Sequence, residues 1–241
     1  MELYLIRHAQ STNNVVAGLR NRVCDPPLTE LGEQQAEIIA RHLVDGINPE
    51  FVKGGSPEAT GSRNGRGYAF TRLYCSAMGR SLQTVEPIGQ ALGLTPHVWV
   101  DIHEHGGIFL DHGDQRGVVG YPGKTRSEIL ARYPNYRLPD EITDDGWWSG
   151  GYEDWPACHG RAIKVAQKLR KWADSDERIA LITHGGFIDS LIKALANQLP
   201  DGGLFYYHYN TAITRIDFRR DERMGFRYLN RIDHLPPELI S

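Results

Sequence analysis

Residues 3–14 of the chain read LYLIRHAQSTNN. The stretch opens as an apolar run typical of a buried strand and changes at Arg7 and His8 to small and polar residues. A strand that delivers a cation and an imidazole to a loop is one way to build an anion site at a sheet edge. For the pair alone, a strand that simply meets solvent is the simpler interpretation, because short single motifs give many false positives. The prediction therefore depends on what the rest of the chain supplies.

Three later positions repeat this pattern. Arg80, Glu104 and His184 each follow a short apolar segment that reads as a strand. Because the carboxyl ends of parallel strands meet at one edge of a sheet, we expect these side chains to converge with Arg7 and His8. Four such strand ends together favour one shared pocket over four unrelated surface positions.

Strands and helices alternate along the chain, which predicts a three-layer α/β/α fold with a mostly parallel central sheet. The pattern predicts a helix after Thr29, a strand at 97–100, and helices at 152–173 and 187–197. We expect one domain spanning 1–241. It carries a glycine-rich surface loop at about 46–70 and a cap or lid insertion at about 106–151.

The insertion has two readable features. Thr125 and Glu128 form a capping box that predicts one helix, which Pro134 ends. Trp147 and Trp148, set among glycines, are predicted to form a lid or pocket wall rather than core.

Bulk composition excludes several classes of partner. The net charge of −3 provides no basic field for nucleic acid or an anionic membrane, so any anion recognition must be local. Three cysteines without paired spacing suggest neither a disulfide framework nor a thiolate zinc site. No apolar run approaches the roughly 18 residues of a membrane helix, and no leader pattern opens the chain. The expected location is the cytoplasm.

The predicted pocket suits phosphoryl transfer. Two arginines supply permanently charged donors for a phosphate that is nearly a dianion. Gly185 and Gly186 at a helix start let backbone N–H groups approach the same charge. One neutral histidine would act as nucleophile, a second would stabilise charge if protonated, and Glu104 would protonate the departing alkoxide.

Five segments resemble one known family. Residues 7–14 resemble the RHG-type signature of the histidine phosphatase superfamily, whose fold is phosphoglycerate mutase-like. Residues 76–84 and 183–185 resemble its second and third motifs in order and spacing. Residues 25–32 resemble the segment after the first loop, and residues 229–235 the family's ending. Only the loop at 46–70 and the insertion fall outside the resemblance.

The resemblance implies a metal-independent phosphomonoester hydrolase in which His8 becomes a phosphohistidine. It implies a phosphoryl site formed by Arg7, His8, Asn14, Arg80, His184 and Gly185. Glu104 would be the proton donor, although its segment fits the family pattern only in part. Gln10 stands where glutamate is common, and Asn21 and Arg22 stand where a Gln-Gly pair often lies. The expected partner is a small phosphorylated metabolite, with no cofactor and no metal, and the oligomeric state is open.

Three alternatives stay open. A metal hydrolase would use His103, His105 and His112 beside Glu104, since histidine and carboxylate are good zinc ligands. A cofactor-dependent phosphoglycerate mutase-type transfer, an isomerase activity, needs an enclosed pocket and cationic ligands. Candidate ligands in the insertion are Arg116, Lys124, Arg126, Arg132 and Arg137. The third alternative is a non-catalytic phosphate-binding protein.

Overall fold

A six-stranded sheet forms the centre of the computed structural model, which describes residues 1–18, 21–48, 66–220 and 223–241. Its strands, numbered with a separate hairpin, are β1 Glu2–Arg7, β2 Arg72–Cys75, β3 His97–Val98, β4 Phe109–Asp111, β5 Val118–Gly120, β6 Arg178–Thr183, β7 Ile213–Phe218 and β8 Met224–Arg231. The order across the sheet is β3-β2-β6-β1-β7-β8. The first four of these strands are mutually parallel, while β7 is antiparallel to both of its neighbours. The sheet is therefore mostly parallel, as predicted.

Helices cover both faces of the sheet. They are α1 Thr12–Val15, α2 Glu30–Asp45, α3 Gly79–Leu92, α4 Arg126–Arg132, α5 Trp155–Lys171 and α6 Gly185–Leu195. Thr29 caps α2 by accepting a hydrogen bond from the Gly32 N–H, as the sequence predicted. The predicted ends of α5 and α6 were inexact. The α5 helix begins only after its cap at Asp154, and α6 begins two residues earlier than predicted.

Strand β1 is buried on both sides because its alternate residues serve two cores. Tyr4 and Ile6 pack in one core with residues of α2 and α3. Leu3 and Leu5 pack in the other core with residues of α5 and α6. Successive side chains of a strand point to opposite faces, so one apolar run supports both layers. The three-layer α/β/α prediction is confirmed.

The insertion contains more regular structure than the sequence predicted. Its helix α4 begins with the predicted capping box, in which Thr125 and Glu128 bond each other's backbone. In addition, β4 and β5 pair as an antiparallel hairpin, which the short and partly polar segments did not reveal. The predicted strand at 97–100 is also shorter, because a 3₁₀ turn occupies Val100–Ile102.

The tryptophan prediction was wrong in part. Trp147 is 8% exposed and packs in the core that contains α3, against the ring of His103. Trp148 is partly buried against the same core. The insertion lies against the core that contains α3, and the two tryptophan rings pack against that core instead of facing the cavity.

Two predictions on chain organisation are not settled by the described residues. Most of the predicted loop at 46–70 lies outside them, since residues 49–65 are not described. One domain over 1–241 stays a prediction. Among the helices of the described ranges, none is long and apolar enough to cross a membrane.

Candidate active site

A cavity of about 370 Å³ opens at the carboxyl end of β1. Four of the predicted site residues with ionisable side chains line it, namely Arg7, His8, Arg80 and Glu104. The remaining lining residues are Ser11, Asn13, Asn14, Arg22, Val23, Cys24, His105, Gly107, Phe109, Leu110, Asp111, Trp155, Gly186 and Phe205. The strand ends therefore converge as the parallel topology requires.

The imidazole of His8 has one defined tautomer. Its Nδ1 lies 2.7 Å from the carbonyl oxygen of Ala9, which can only accept, so Nδ1 carries the hydrogen. Its Nε2 lies 3.1 Å from Nε of Arg80, which can only donate, so Nε2 carries the lone pair that accepts this hydrogen bond. The neutral ring thus directs its Nε2 lone pair at the guanidinium of Arg80.

His8 is held neutral by its surroundings. Burial lowers the pKa of His8 well below its usual 6.5, and the nearby charges of Arg80 and Arg7 lower it further. A histidine must be unprotonated to attack phosphorus. The same two arginines that would bind a phosphate therefore help to keep His8 neutral, which is the form that the predicted nucleophile needs.

One nitrogen of the Arg7 guanidinium is hydrogen-bonded to the protein, and another is available to a ligand. Its Nη1 donates to the carbonyl oxygen of His208 at 2.6 Å, which ties β1 to the segment before β7. Its buried Nε has no hydrogen-bond partner among the described residues. A buried donor without a partner is costly, and a bound anion would remove that cost.

His184 lies behind the cavity rather than on its wall. It is fully buried, its ring centroid is 5.0 Å from that of His8, and its Nε2 is 2.6 Å from Oγ of Ser76. Burial, followed by the charge of Arg80, lowers the pKa of His184 well below 6.5. His184 is thus neutral here, and the charged form that we considered requires the field of a bound anion.

The start of α6 differs from the prediction. The N–H groups of Gly186 and Phe187 donate to the Glu104 carboxylate, at 3.3 Å to Oε2 and 2.9 Å to Oε1. The helix N-terminus thus binds Glu104 instead of forming an open phosphate cradle. Gly185 does not line the cavity, whereas Gly186 does. A Cβ at Gly186 would lie 2.8 Å from Glu104 Oε1, so glycine is needed for this approach.

Asn14 and Arg22 complete the cavity wall near α1. Oδ1 of Asn14 accepts from the backbone N–H of Ser11 at 2.8 Å, which leaves the amide NH₂ as its donor. Arg22 is exposed and forms no ion pair among the described residues. The sequence marked Arg22 only as a departure from the family pattern, and the structure places it as a third cation at the cavity.

Three supporting residues were not predicted from the sequence. Asn210 donates from Nδ2 to the carbonyl oxygen of His8 at 2.8 Å, and His208 supplies the carbonyl for Arg7. Ser76 holds His184. Ser76 begins the second family-like segment, but the partners of Asn210 and Ser76 are more than 100 residues away in sequence.

The metal alternative gains no support from the arrangement of side chains. Within the described ranges, no group of three or more His, Cys, Asp and Glu side chains is placed to hold a metal ion. Nδ1 of His103 bonds the Val100 carbonyl, His105 stacks on Trp155, and His112 contacts Tyr121. These three histidines therefore face different neighbours.

Buried neutral histidines predict a loss of stability in mild acid. His8, His184 and His103 are buried and His234 is half-buried, and the pKa values of His103 and His234 are lowered to about 3. Near pH 6.5 the unfolded chain begins to bind protons that the folded chain does not. The free energy of unfolding should therefore fall between pH 7.5 and 5.5, by about 1.4 kcal/mol for each such histidine.

Urea unfolding at the two pH values measures this effect. The variant His234→Gln should show a smaller loss than the wild type, because it removes one of the contributing groups. Equal stability of the wild type at both pH values would contradict the prediction.

Comparisons with known proteins agree with the sequence resemblance. A family model described as "Histidine phosphatase superfamily (branch 1)" matches residues 3–57 and 58–230. The chain is also 24% identical over 140 residues to a probable phosphoglycerate mutase, GpmB, of Photorhabdus laumondii subsp. laumondii. That match covers 58% of this chain and 54% of the relative. With another curated relative the chain spans only 15% of the relative's length.

Solved structures show the same fold. A phosphoserine phosphatase from Entamoeba histolytica, solved with 3-phosphoglyceric acid, superposes with a TM-score of 0.60 at 20% identity. The superposition covers 98% of this chain and 99% of that one. A mycobacterial glucosyl-3-phosphoglycerate phosphatase has a TM-score of 0.54 at 21% identity, covering 95% of this chain and 98% of the other. The predicted phosphoglycerate mutase-like fold is confirmed.

Proposed function

The chain belongs to the histidine phosphatase superfamily, branch 1, and we propose that it is a metal-independent phosphomonoester hydrolase. The observation that supports this most strongly is the fixed tautomer of His8. Its Nδ1–H donates to a backbone carbonyl, its Nε2 lone pair accepts from Nε of the buried Arg80, and the charge of Arg7 is also close to the ring. This arrangement fits attack on an anionic phosphorus centre.

The proposed reaction has two steps. In the first step, Nε2 of His8 attacks phosphorus, the N–P bond forms, and the P–O bond to the alcohol breaks. Glu104 gives its proton to the departing oxygen. In the second step, the Glu104 carboxylate takes a proton from water, whose oxygen attacks phosphorus while the N–P bond breaks. Inorganic phosphate leaves, and both side chains return to their starting forms.

Each remaining residue has a proposed electrostatic role. Arg7 and Arg80 bind the phosphoryl oxygens as charged donors, and Asn14 adds a neutral one. His184 gains a proton when the anion arrives and stabilises the developing charge.

The basic residues of the insertion favour hydrolysis over mutase chemistry. None of the five lines the cavity. Arg116 pairs with Asp114 and Arg132 with Glu86, Lys124 lies 3.8 Å from Asp25, and Arg126 donates to backbone carbonyls; the fifth is Arg137. A mutase needs cations that retain its substrate between two transfers. Phosphoglycerate mutase-type transfer therefore stays the second candidate, supported by the relative GpmB.

Trapping of the intermediate tests the proposal. The purified protein should hydrolyse 4-nitrophenyl phosphate at the same rate with and without EDTA. Quenching during turnover should yield a phosphoprotein that is stable in alkali and labile in acid. An acid-stable adduct, or activity lost to EDTA and restored by metal, would contradict the mechanism. Binding of phosphate without turnover would favour the non-catalytic alternative.

We propose a small phosphorylated metabolite as substrate, in line with the phosphoserine phosphatase that it resembles. A cytoplasmic location stays a prediction from the sequence. Incubation with 3-phosphoglycerate separates the two enzymatic candidates, because a phosphatase releases inorganic phosphate whereas a mutase forms the 2-phosphate isomer.

Arg22 should favour substrates that carry a carboxylate in addition to the phosphate. It is an exposed cation on the cavity wall with no ion-pair partner in the described ranges. The variant Arg22→Gln should raise KM for a phosphorylated carboxylic acid about tenfold, since a charge-assisted hydrogen bond contributes about 1.5–3 kcal/mol. KM for 4-nitrophenyl phosphate should change little. Equal changes for both substrates would show that Arg22 binds no second acid group.

A further inference from the structure

Behind Glu104 lies a buried ion pair that the proposed reaction does not use. Arg161 on α5 donates from Nε and Nη2 to the two carboxylate oxygens of Glu153, at 2.8 and 2.5 Å. The two side chains are only 10% and 8% exposed. Two parallel N–H···O bonds fix the plane of the guanidinium as well as its position.

The free side of this guanidinium binds the loop that carries Glu104. Nη1 of Arg161 donates to the carbonyl oxygens of Asp101 at 2.7 Å and His103 at 2.9 Å. On the other side of Glu104, the backbone N–H of Glu153 donates to the carbonyl oxygen of Gly106 at 3.2 Å. The Arg161 side chain therefore holds the backbone before Glu104, and the Glu153 backbone holds it after Glu104.

The same guanidinium contacts a residue that bonds the Glu104 carboxylate. Its Cζ lies 4.6 Å from the centre of the Phe187 ring, and the Phe187 N–H donates to Glu104 Oε1. Next along the loop, His105 stacks on Trp155 with ring centroids 3.8 Å apart. Residues 153–161 therefore contact both the loop that carries Glu104 and the start of α6 that binds its carboxylate.

A buried ion pair is an expensive way to stabilise a fold, because removing two charges from water costs about as much as their attraction returns. What such a pair can provide is a fixed position for the groups bonded to it. A displacement of about 1 Å at a reacting group can cost roughly 10²-fold in rate.

We propose that Arg161 and Glu153 are positioning residues that hold Glu104 in line with the leaving oxygen. The inference rests on the proposed function, in which Glu104 is the acid. Neither residue lines the cavity, so both would act only through Glu104 and its loop.

The double variant Arg161→Met/Glu153→Gln tests this, because it removes both charges and leaves neither buried alone. The rates to compare are kcat for glycerol 2-phosphate, whose alkoxide needs a proton, and kcat for 4-nitrophenyl phosphate, whose phenolate does not. We expect at least a tenfold loss for the alkyl ester and a much smaller loss for the aryl ester. Added to Glu104→Gln, the double variant should cause no further loss for the alkyl ester.

A second buried pair provides the control. Arg215 and Asp217 on β7 form an ion pair whose side chains are 6% and 13% exposed, and they form further ion pairs with Glu2 of β1 and Arg227 of β8. The variant Arg215→Met/Asp217→Asn should leave the alkyl-to-aryl ratio of rates unchanged. Arg161→Lys is a second variant in case the double variant does not fold. Lysine keeps the charge but cannot bond Glu153 and both carbonyls together, so it should show the same selective loss.

The outcomes separate the inference from the function. Equal losses for both esters, or losses that add to those of Glu104→Gln, would overturn the positioning role while the hydrolase proposal stands. A wild-type protein that hydrolyses neither ester would overturn the proposed function, and the inference with it.

Discussion

Replacing His8 with alanine is expected to reduce hydrolysis of 4-nitrophenyl phosphate by roughly 10⁴-fold or more, as removal of a catalytic nucleophile generally does. Nε2 of His8 is the only atom to which the mechanism assigns the covalent bond to phosphorus. The fold should persist, because the change removes only two hydrogen bonds, one to Ala9 and one from Arg80. Steady-state kcat measures the loss of turnover, and circular dichroism and thermal unfolding show whether the fold persists.

The control is a half-buried histidine outside the cavity. His234 packs against His42, outside the set of residues that lines the cavity, and His234→Ala should retain turnover once differences in folded fraction are allowed for. His8→Asn provides an independent variant that keeps a polar side chain at the site. Turnover by either His8 variant near the wild-type rate would show that another residue is the nucleophile.

Replacing Glu104 with glutamine is expected to slow alkyl phosphates by about 10²–10⁴-fold, the usual contribution of a general acid. Glutamine keeps an oxygen that can accept from Phe187 N–H, so the geometry should survive while the transferable proton is lost. Aryl phosphates leave as stable phenolates and should be slowed far less. The measurement is kcat over a series of esters whose alcohols differ in acidity.

Asp111 is the matched control for this experiment, since its carboxylate also lines the cavity. Asp111→Asn removes the same charge and should change all esters by one common factor. If Glu104→Gln also slows aryl and alkyl esters equally, Glu104 is not the proton donor.

The sequence predicted the chemistry at strand ends because that information is local. An apolar run that stops at Arg7 and His8, or just before His184, marks both a buried strand and the polar group beyond it. Parallel topology then brings these ends together without any knowledge of side-chain geometry. For the same reason the three layers were predictable, since β1 is apolar on both faces.

Contacts between distant segments were beyond this kind of reasoning. The carbonyl oxygen of His8 is 202 residues from the Asn210 amide that bonds it, and no local pattern records such a pair. Gly185 and Gly186 were correctly read as a helix start, but the anion that meets the α6 N–H groups is the carboxylate of Glu104. A free helix end and one already bound by a side chain look identical in sequence.

The insertion shows a further limit. Trp147 among glycines resembles a flexible wall, yet its ring is buried against His103. The hairpin β4–β5 has strands of only three residues, too short for alternation to be read. In both cases the decisive factor is the surface on which the segment lies.

The hydrogen bond from Arg80 to His8 gives the resting protein an order of events. In the proposed mechanism the Nε2 lone pair attacks phosphorus, but here it already accepts a hydrogen bond from Arg80, which can only donate. It becomes available only when the guanidinium exchanges its imidazole partner for an oxygen of the incoming phosphoryl group. Nε2 of His8 is thus hydrogen-bonded to Arg80 in the resting protein. In the proposed mechanism, only a ligand with enough negative charge to bind the guanidinium releases it. Discrimination against neutral electrophiles therefore precedes any contact between His8 and its target.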